Sequence, residues 1–222
     1  MKNISLIIPA KYEKESLPSV LLELKKYALN TIVILEANDH ETIKSIKNFD
    51  CTIIHQKNNG YGNALILGIE SVKTEFFCIF NADGSFNPIE ISGMYNLLKN
   101  KNGDIIFASR YEKNAGSEDD TIVTKIGNFI FTKLGKILFK LPITDILYTF
   151  VLGKTKMVLD LNLESQDFSF CVELPIKAQR NNYKIFSNPS HERARIAGKK
   201  KVNAIRDGLF ILKKMIFMFL KN

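Results

Sequence analysis

Four short apolar runs, residues 4–8, 31–35, 51–55 and 76–80, constrain the fold more than any other feature of this chain. None of them alternates strictly between apolar and polar positions, the pattern of strands covered on both faces of a sheet. Between them lie stretches with helical spacing. Ser16-Leu17-Pro18 opens one in which Val20, Leu21, Leu24 and Ala28 share a face, a second falls near residues 40–48, and Asn63-Ala64-Leu65-Ile66-Leu67-Gly68-Ile69 makes a third. Such β-α-β-α regularity predicts an α/β fold with a mostly parallel, doubly wound sheet flanked by helices. Right-handed crossovers then bring Pro9, Glu36, Gly60 and Asp83 to one sheet edge. Ligands of parallel α/β sheets bind beyond that edge.

The run Phe76-Phe77-Cys78-Ile79-Phe80 stops on Asn81-Ala82-Asp83-Gly84-Ser85, so a rigid strand delivers a carboxylate to the edge. Asp83 in that position suits a hard divalent cation, which in turn neutralises nucleotide phosphates. The same five residues also compose an ordinary turn, and this segment alone leaves both readings open. Gln56-Lys57-Asn58-Asn59-Gly60-Tyr61-Gly62 is a polar loop whose glycines let backbone amides approach a phosphate or sugar. No dinucleotide-binding glycine fingerprint follows the first strand, which disfavours a NAD-type enzyme.

With 222 residues, 45% of them hydrophobic and 24% charged, the chain can bury a full core. Its three cysteines, at 51, 78 and 171, form no paired spacing and read as reduced core residues of a cytoplasmic protein. The opening shows no signal-peptide pattern, and no run of apolar residues is long enough to span a membrane. Net charge is +8, but from Glu192 onward nine basic residues face only two acidic ones. The excess therefore belongs to the tail, which argues against a nucleic-acid-binding surface.

Pro9-Ala10 with Glu13, Glu36, Asn58-Asn59-Gly60-Tyr61-Gly62-Asn63-Ala64, Asn81-Ala82-Asp83 and Ser109-Arg110-Tyr111 occur in the order and spacing of family 2 glycosyltransferases. The chain resembles especially the polyprenyl-phosphate sugar synthases, such as the dolichyl-phosphate mannose synthases. The likeness continues through Asp145, through residues 166–174 and through Arg195-Ile196-Ala197-Gly198-Lys199-Lys200-Lys201. It implies a GT-A fold, a nucleotide-sugar donor and a divalent cation, Mg²⁺ or Mn²⁺. By position it implies donor-binding roles for Pro9, Ala10, Glu13, Glu36, Gly60, Asn81, Ala82, Asp83 and Lys201, with Asp83 and Asn81 at the metal. The segment 195–201 resembles the loop that closes over the donor diphosphate, where Arg195 and Lys201 would compensate the charge of a leaving nucleoside diphosphate. Asp83, Glu173 and Arg195 are the catalytic candidates, with Asp167 and Glu173 in the segment whose family counterpart faces the acceptor.

The pattern is also broken. Asn81 replaces the first Asp of Asp-x-Asp, Glu36-Ala37 replaces an Asp-Asp pair, and Lys200 replaces a Ser. An amide is a weaker ligand than a carboxylate, so metal affinity would lean on Asp83, donor phosphates and water. Glu173 reads equally as a satisfied structural carboxylate within an apolar helix or strand. His40 and His55 have no metal-ligand partners at suitable spacing, and His191 is a lesser candidate for the donor loop.

In the tail, Val202, Ile205, Leu209, Leu212, Ile216 and Phe219 recur at helical spacing, with Arg206, Lys213 and Lys214 among them. Three fates are open to this basic amphipathic helix: peripheral contact with the inner face of a membrane, packing on the domain, or packing on a second subunit in a homo-oligomer. The expected organisation is a GT-A domain over residues 1–201 followed by this helix over 202–222. The expected activity is transfer of a hexose-type sugar from a nucleotide-sugar donor to a polyprenyl-phosphate or saccharide acceptor. A sugar-phosphate nucleotidyltransferase and a catalytically weakened nucleotide-sugar-binding domain are the alternatives. Against the former, Pro9-Ala10-Lys11-Tyr12 lacks the glycine-rich basic signature after the first strand.

Overall fold

The structure is a computed structural model that describes residues 2–198, 201 and 203–221. Strands and helices first alternate strictly: β1 (Ile4–Pro9), α1 (Leu17–Leu24), β2 (Asn30–Glu36), α2 (His40–Ile46), β3 (Thr52–Gln56), α3 (Tyr61–Ser71) and β4 (Phe76–Ile79). There follow α4 (Glu90–Asn100), β5 (Ile105–Ser109), a two-residue β6 (Gly116–Ser117), α5 (Ile122–Phe139), β7 (Val151–Lys154), α6 (Thr155–Leu159), α7 (Phe170–Arg180), β8 (Ile185–Pro189), β9 (His191–Glu192) and α8 (Ala204–Leu220).

Seven strands form one sheet in the order β3-β2-β1-β4-β7-β5-β8, while β6 pairs with β9 beside it. Pairing is parallel except at β7, which runs antiparallel to both β4 and β5. The sheet has helices on both faces, and this accounts for the unbroken apolar runs. Ile7, Ile32, Ile34, Phe77 and Ile79 point into one core. Leu6, Ile8, Val33, Leu35, Phe76 and Cys78 point into the other. Ser5, the one polar residue inside the first run, is buried and accepts a hydrogen bond from Thr74 Oγ1 at 2.8 Å. β3 is the exception to full coverage. As an edge strand it is only half-buried, and His55 faces solvent.

The strand order reverses between β1 and β4: the chain winds outward through β2 and β3, then returns to the other side of β1. That switch point leaves a crevice beyond the carboxyl ends of the two strands, where Pro9-Ala10 and Asn81-Ala82-Asp83 emerge.

The tail helix is part of the fold. Ile211, Met215 and Met218 enter the main core, and α8 packs on α5 and α7. Arg180 Nη2 ties it further by donating to the Met218 carbonyl. The Asn203 side chain caps α8 by accepting from Arg206 N at 3.0 Å. The apolar stripe expected from spacing, Ile205, Leu209, Leu212, Ile216 and Phe219, lies on the outward face, so α8 carries two apolar stripes. Val202, the expected start of that stripe, lies outside the described residues, as do Lys199 and Lys200.

Candidate active site

A cavity of about 650 Å³ opens at the switch point. Pro9, Ala10, Glu13, Glu36, Gly60, Asn81, Ala82, Asp83, Arg195 and Lys201 all line it. Glu173, Asp167 and His191, also singled out from sequence, do not line it.

At the cavity floor, Asp83 Oδ1 accepts the backbone N–H of Ser85 at 3.0 Å, and Oδ2 lies 3.6 Å from Arg195 Nη1. The Asn81 amide nitrogen reaches Ser85 Oγ at 3.4 Å, leaving its carbonyl oxygen for other partners. On the β1–β2 side, Lys11 Nζ holds Glu36 Oε1 at 2.7 Å. Tyr12 takes positive φ there, and its N–H donates to Asp39 Oδ2 at 2.7 Å. The other Asp39 oxygen caps α2 through Thr42 N. Glu13 is fixed by Ser16 Oγ at 2.7 Å and by an ion pair with Lys201.

Residues 193–196 bind back onto the loop after β4. Arg193 N donates to Ser85 O and Ile196 N to Asp83 O, both at 2.8 Å. The Arg193 guanidinium forks onto Glu23 at 2.9 and 3.0 Å. Arg195 grips Asp119 through Nη2 at 2.8 Å and Nε at 3.2 Å. That bond to Asp119, reinforced by the negative charge of Asp83, raises the Arg195 pKa and keeps it cationic in the cavity. Arg110 is a second cation on the wall. Its Nε and Nη2 fork onto Asp145 at 2.7 and 3.0 Å, Nη1 meets Glu192 at 3.2 Å, and its guanidinium lies 4.6 Å from the centre of the Tyr148 ring. Burial opposes its charge, but Asp145 and Glu192 together outweigh burial and the pKa rises.

Apolar lining comes from Tyr61, Leu147, Phe168, Cys171 and Ile211. The Tyr61 and Phe168 rings stack at 4.7 Å, and Tyr61 Oη bonds Thr149 Oγ1 at 2.6 Å. Burial raises the Cys171 pKa, so the group stays a thiol and is no nucleophile. The loop glycines also serve a close approach within the chain itself. Gly60 has φ +132°, and a Cβ on it would stand 2.2 Å from Gln166 O. One on Gly62 would stand 2.1 Å from Ser165 O. The glycines let the loop before α3 lie against the chain's own residues 165–167, which bring Phe168 to the cavity.

Glu173 does not line the cavity. It is fully buried in the first turn of α7. Ser165 N and Glu164 N donate to its Oε2 at 2.6 and 3.1 Å, and Lys177 and Lys214 approach its Oε1 at 2.9 and 3.1 Å. The structural reading of this carboxylate holds, because every oxygen is occupied by its own neighbours. Asp167 accepts the Ser169 N–H at 2.8 Å ahead of α7. His40 begins α2, and His191 pairs with Glu118 at 3.0 Å; neither lines the cavity. Sequence reasoning gave no role to Lys11, Asp119 or Arg206, which do line it. Asp119 left no signal, since its partner Arg195 is 76 positions away.

Among the described residues no cluster of three or more His, Cys, Asp or Glu could cage a metal. At the end of β4 the cavity offers one carboxylate, Asp83, and one amide oxygen, Asn81. Hard oxygens in this number fit Mg²⁺ or Mn²⁺, which take one or two protein ligands and complete their shell with substrate phosphates and water.

A crevice at the switch point of a mostly parallel sheet, lined by Asn81, Asp83, Arg195 and Lys201, is the arrangement of a GT-A enzyme. The family comparison agrees: residues 5–161 match the model of glycosyl transferase family 2, and the chain belongs to that family. It is a nucleotide-sugar-dependent glycosyltransferase. Among curated proteins it is 24% identical over 213 residues to the UDP-N-acetylglucosamine–dolichyl-phosphate N-acetylglucosaminyltransferase of Methanococcus voltae, covering 85% of this chain and 84% of the relative. It is 21% identical over 208 residues to an uncharacterized glycosyltransferase of Mycobacterium tuberculosis, covering 94% and 93%. Among solved structures it resembles glucosyl-3-phosphoglycerate synthase from Mycobacterium tuberculosis in complex with Mn²⁺, UDP-glucose and phosphoglyceric acid. That match has a TM-score of 0.77 at 12% identity, over 98% of this chain and 80% of the other.

Proposed function

We propose that this glycosyltransferase moves a sugar from a nucleoside-diphosphate sugar to the phosphate of a polyprenyl phosphate, with Mg²⁺ or Mn²⁺ bound beside the donor. The observation that carries the reading is a cavity whose lining joins the donor-binding residues around Asp83 to an apolar set, Tyr61, Leu147, Phe168, Cys171 and Ile211. A polar donor and an acceptor with an apolar chain suit such a mixed lining. The Methanococcus voltae relative, named for transfer to dolichyl phosphate, supports the acceptor class. The solved neighbour with Mn²⁺ and UDP-glucose supports the donor class and the metal.

Asp83 and Asn81 would hold the cation, which when bound neutralises charge on the donor diphosphate. Glu36, Lys11 and Glu13 surround the nucleoside end. Arg195, cationic and hinged between Asp83 and Asp119, stabilises the departing nucleoside diphosphate, and Lys201 adds a second positive charge. A phosphate acceptor is already an anionic nucleophile and needs no general base. The enclosure of Glu173 by two lysines costs this reaction nothing.

The test incubates purified protein and Mn²⁺ with a panel of nucleotide sugars. Each is offered a short-chain polyprenyl phosphate or a saccharide acceptor, and products are read by mass spectrometry. A lipid-phosphate sugar is expected. Product on saccharides alone would replace the acceptor, and donor binding without any product would favour a binding domain weakened at Asn81.

A further inference from the structure

We infer that the outward faces of α5 and α8 together form a docking surface for an anionic lipid bilayer. The two helices lie side by side and run in the same direction. A side chain at Gly208 would meet the Phe131 ring at 3.9 Å, and about two turns further along α5 and three along α8 Phe139 and Phe219 stand edge to face at 6.2 Å. Each helix gives one stripe to the core: Asn128, Thr132, Gly135 and Phe139 on α5, Asp207, Ile211, Met215 and Met218 on α8. Large apolar side chains are left outside on both. Phe129 and Ile137 of α5 are 67% and 64% exposed, and Phe217 and Leu220 of α8 are 51% and 77% exposed. Scattered exposed apolar residues are ordinary, whereas two adjacent helices with apolar outer faces mark an interaction surface.

Charge selects the partner. No acidic residue occurs from Thr121 to Thr144, while Lys125, Lys133, Lys136 and Lys140 are exposed there. In α8 the sole acid is Asp207, which is buried and bonded to Arg206 and the N–H of Asn203. A second copy placed on this face would set lysine against lysine without an acidic partner. A bilayer with anionic headgroups complements it, because the phenylalanines and isoleucines enter the headgroup boundary while lysine stems lie along it and keep their ammonium groups in water. Neither helix is long and apolar enough to cross a membrane, so the arrangement is one of lying on the surface. Thr124 of α5 and both Arg206 and Ile211 of α8 also line the active-site cavity. The surface therefore adjoins the cavity.

Co-sedimentation of the full chain with phosphatidylcholine vesicles, with and without phosphatidylglycerol, tests the inference without donor or acceptor present, so its outcome is separate from that of the acceptor assay. Binding is expected only with phosphatidylglycerol and should weaken as salt rises. Lys133→Gln and Lys136→Gln should each reduce partitioning about fivefold. The double variant Phe129→Gln, Ile137→Gln should reduce it further while leaving the melting temperature and nucleotide binding unchanged, since none of these residues lines the cavity or the core. Equal binding to both vesicle types, binding indifferent to these substitutions, or a dimer that the double variant dissolves would each overturn the inference.

Discussion

Asp83 and Glu173 both follow or interrupt apolar runs, yet their surroundings assign them opposite work. Asp83 keeps one oxygen toward the cavity, 3.6 Å from Arg195 Nη1, whereas Glu173 is saturated by two backbone N–H groups and two lysines. Burial alone would raise the Glu173 pKa, but the Lys177 and Ser165 hydrogen bonds and the Lys214 charge bring it down to about 2 from 4.5. A carboxylate depressed in the folded state contributes stability that is complete above its unfolded pKa and is lost as pH falls through the folded one. Thermal melts should therefore show a loss between about pH 5 and pH 2 that Glu173→Gln flattens, with that variant less stable by roughly 3 kcal/mol at neutral pH. Unchanged acid sensitivity in the variant would contradict the assignment. A second prediction concerns Asn81→Asp, which adds a carboxylate beside Asp83 and should tighten Mn²⁺ binding severalfold by calorimetry. No gain would place Asn81 outside the coordination sphere. The edge position of Asp83 was legible from its apolar run. The fate of Glu173 was not, because Lys214 is 41 residues away in sequence and only the fold brings it near.

At the level of elements, the loop from β3 into α3 and the tail helix show where local pattern succeeds and where it stops. Helix α3 was legible from residue 63 onward, but it begins at Tyr61, capped by Gly60 in a conformation that suits glycine. What the glycines face was hidden, since residues 165–167 come from a distant part of the chain. Gly62→Ala would press a methyl against the Ser165 and Asp167 carbonyls, which are backbone and cannot rotate away. It should cost roughly 2 kcal/mol in denaturant midpoints. An alanine as stable as the wild type would show that this loop yields. For α8, spacing revealed the helix but not which of its two apolar stripes the core takes. Met215 is fully buried, so Met215→Ala should cost about 3 kcal/mol. Removal of the helix should lower the melting temperature of the whole protein instead of releasing an independent tail.

Over the whole molecule, the doubly wound half was readable because each strand and its following helix are local units, and the rule for ligand position needs only their order. The second half was not. β7 enters antiparallel between β4 and β5, and the segment after β9 is held by contacts such as Arg193 with Glu23, 170 positions apart, for which no local pattern exists. The family resemblance supplied the position of that segment, and the geometry supplied its partners, Asp83, Asp119 and Glu13. The central claim is that the β1–β4 crevice binds a nucleoside diphosphate through a cation held at Asp83. Isothermal titration of UDP in the presence of Mn²⁺ tests it most directly, with wild-type protein, wild-type protein in excess EDTA, and Asp83→Ala compared at equal melting temperature. The account predicts binding in the first case and its loss in the other two; UDP affinity in Asp83→Ala equal to that of the wild type in Mn²⁺ would contradict it.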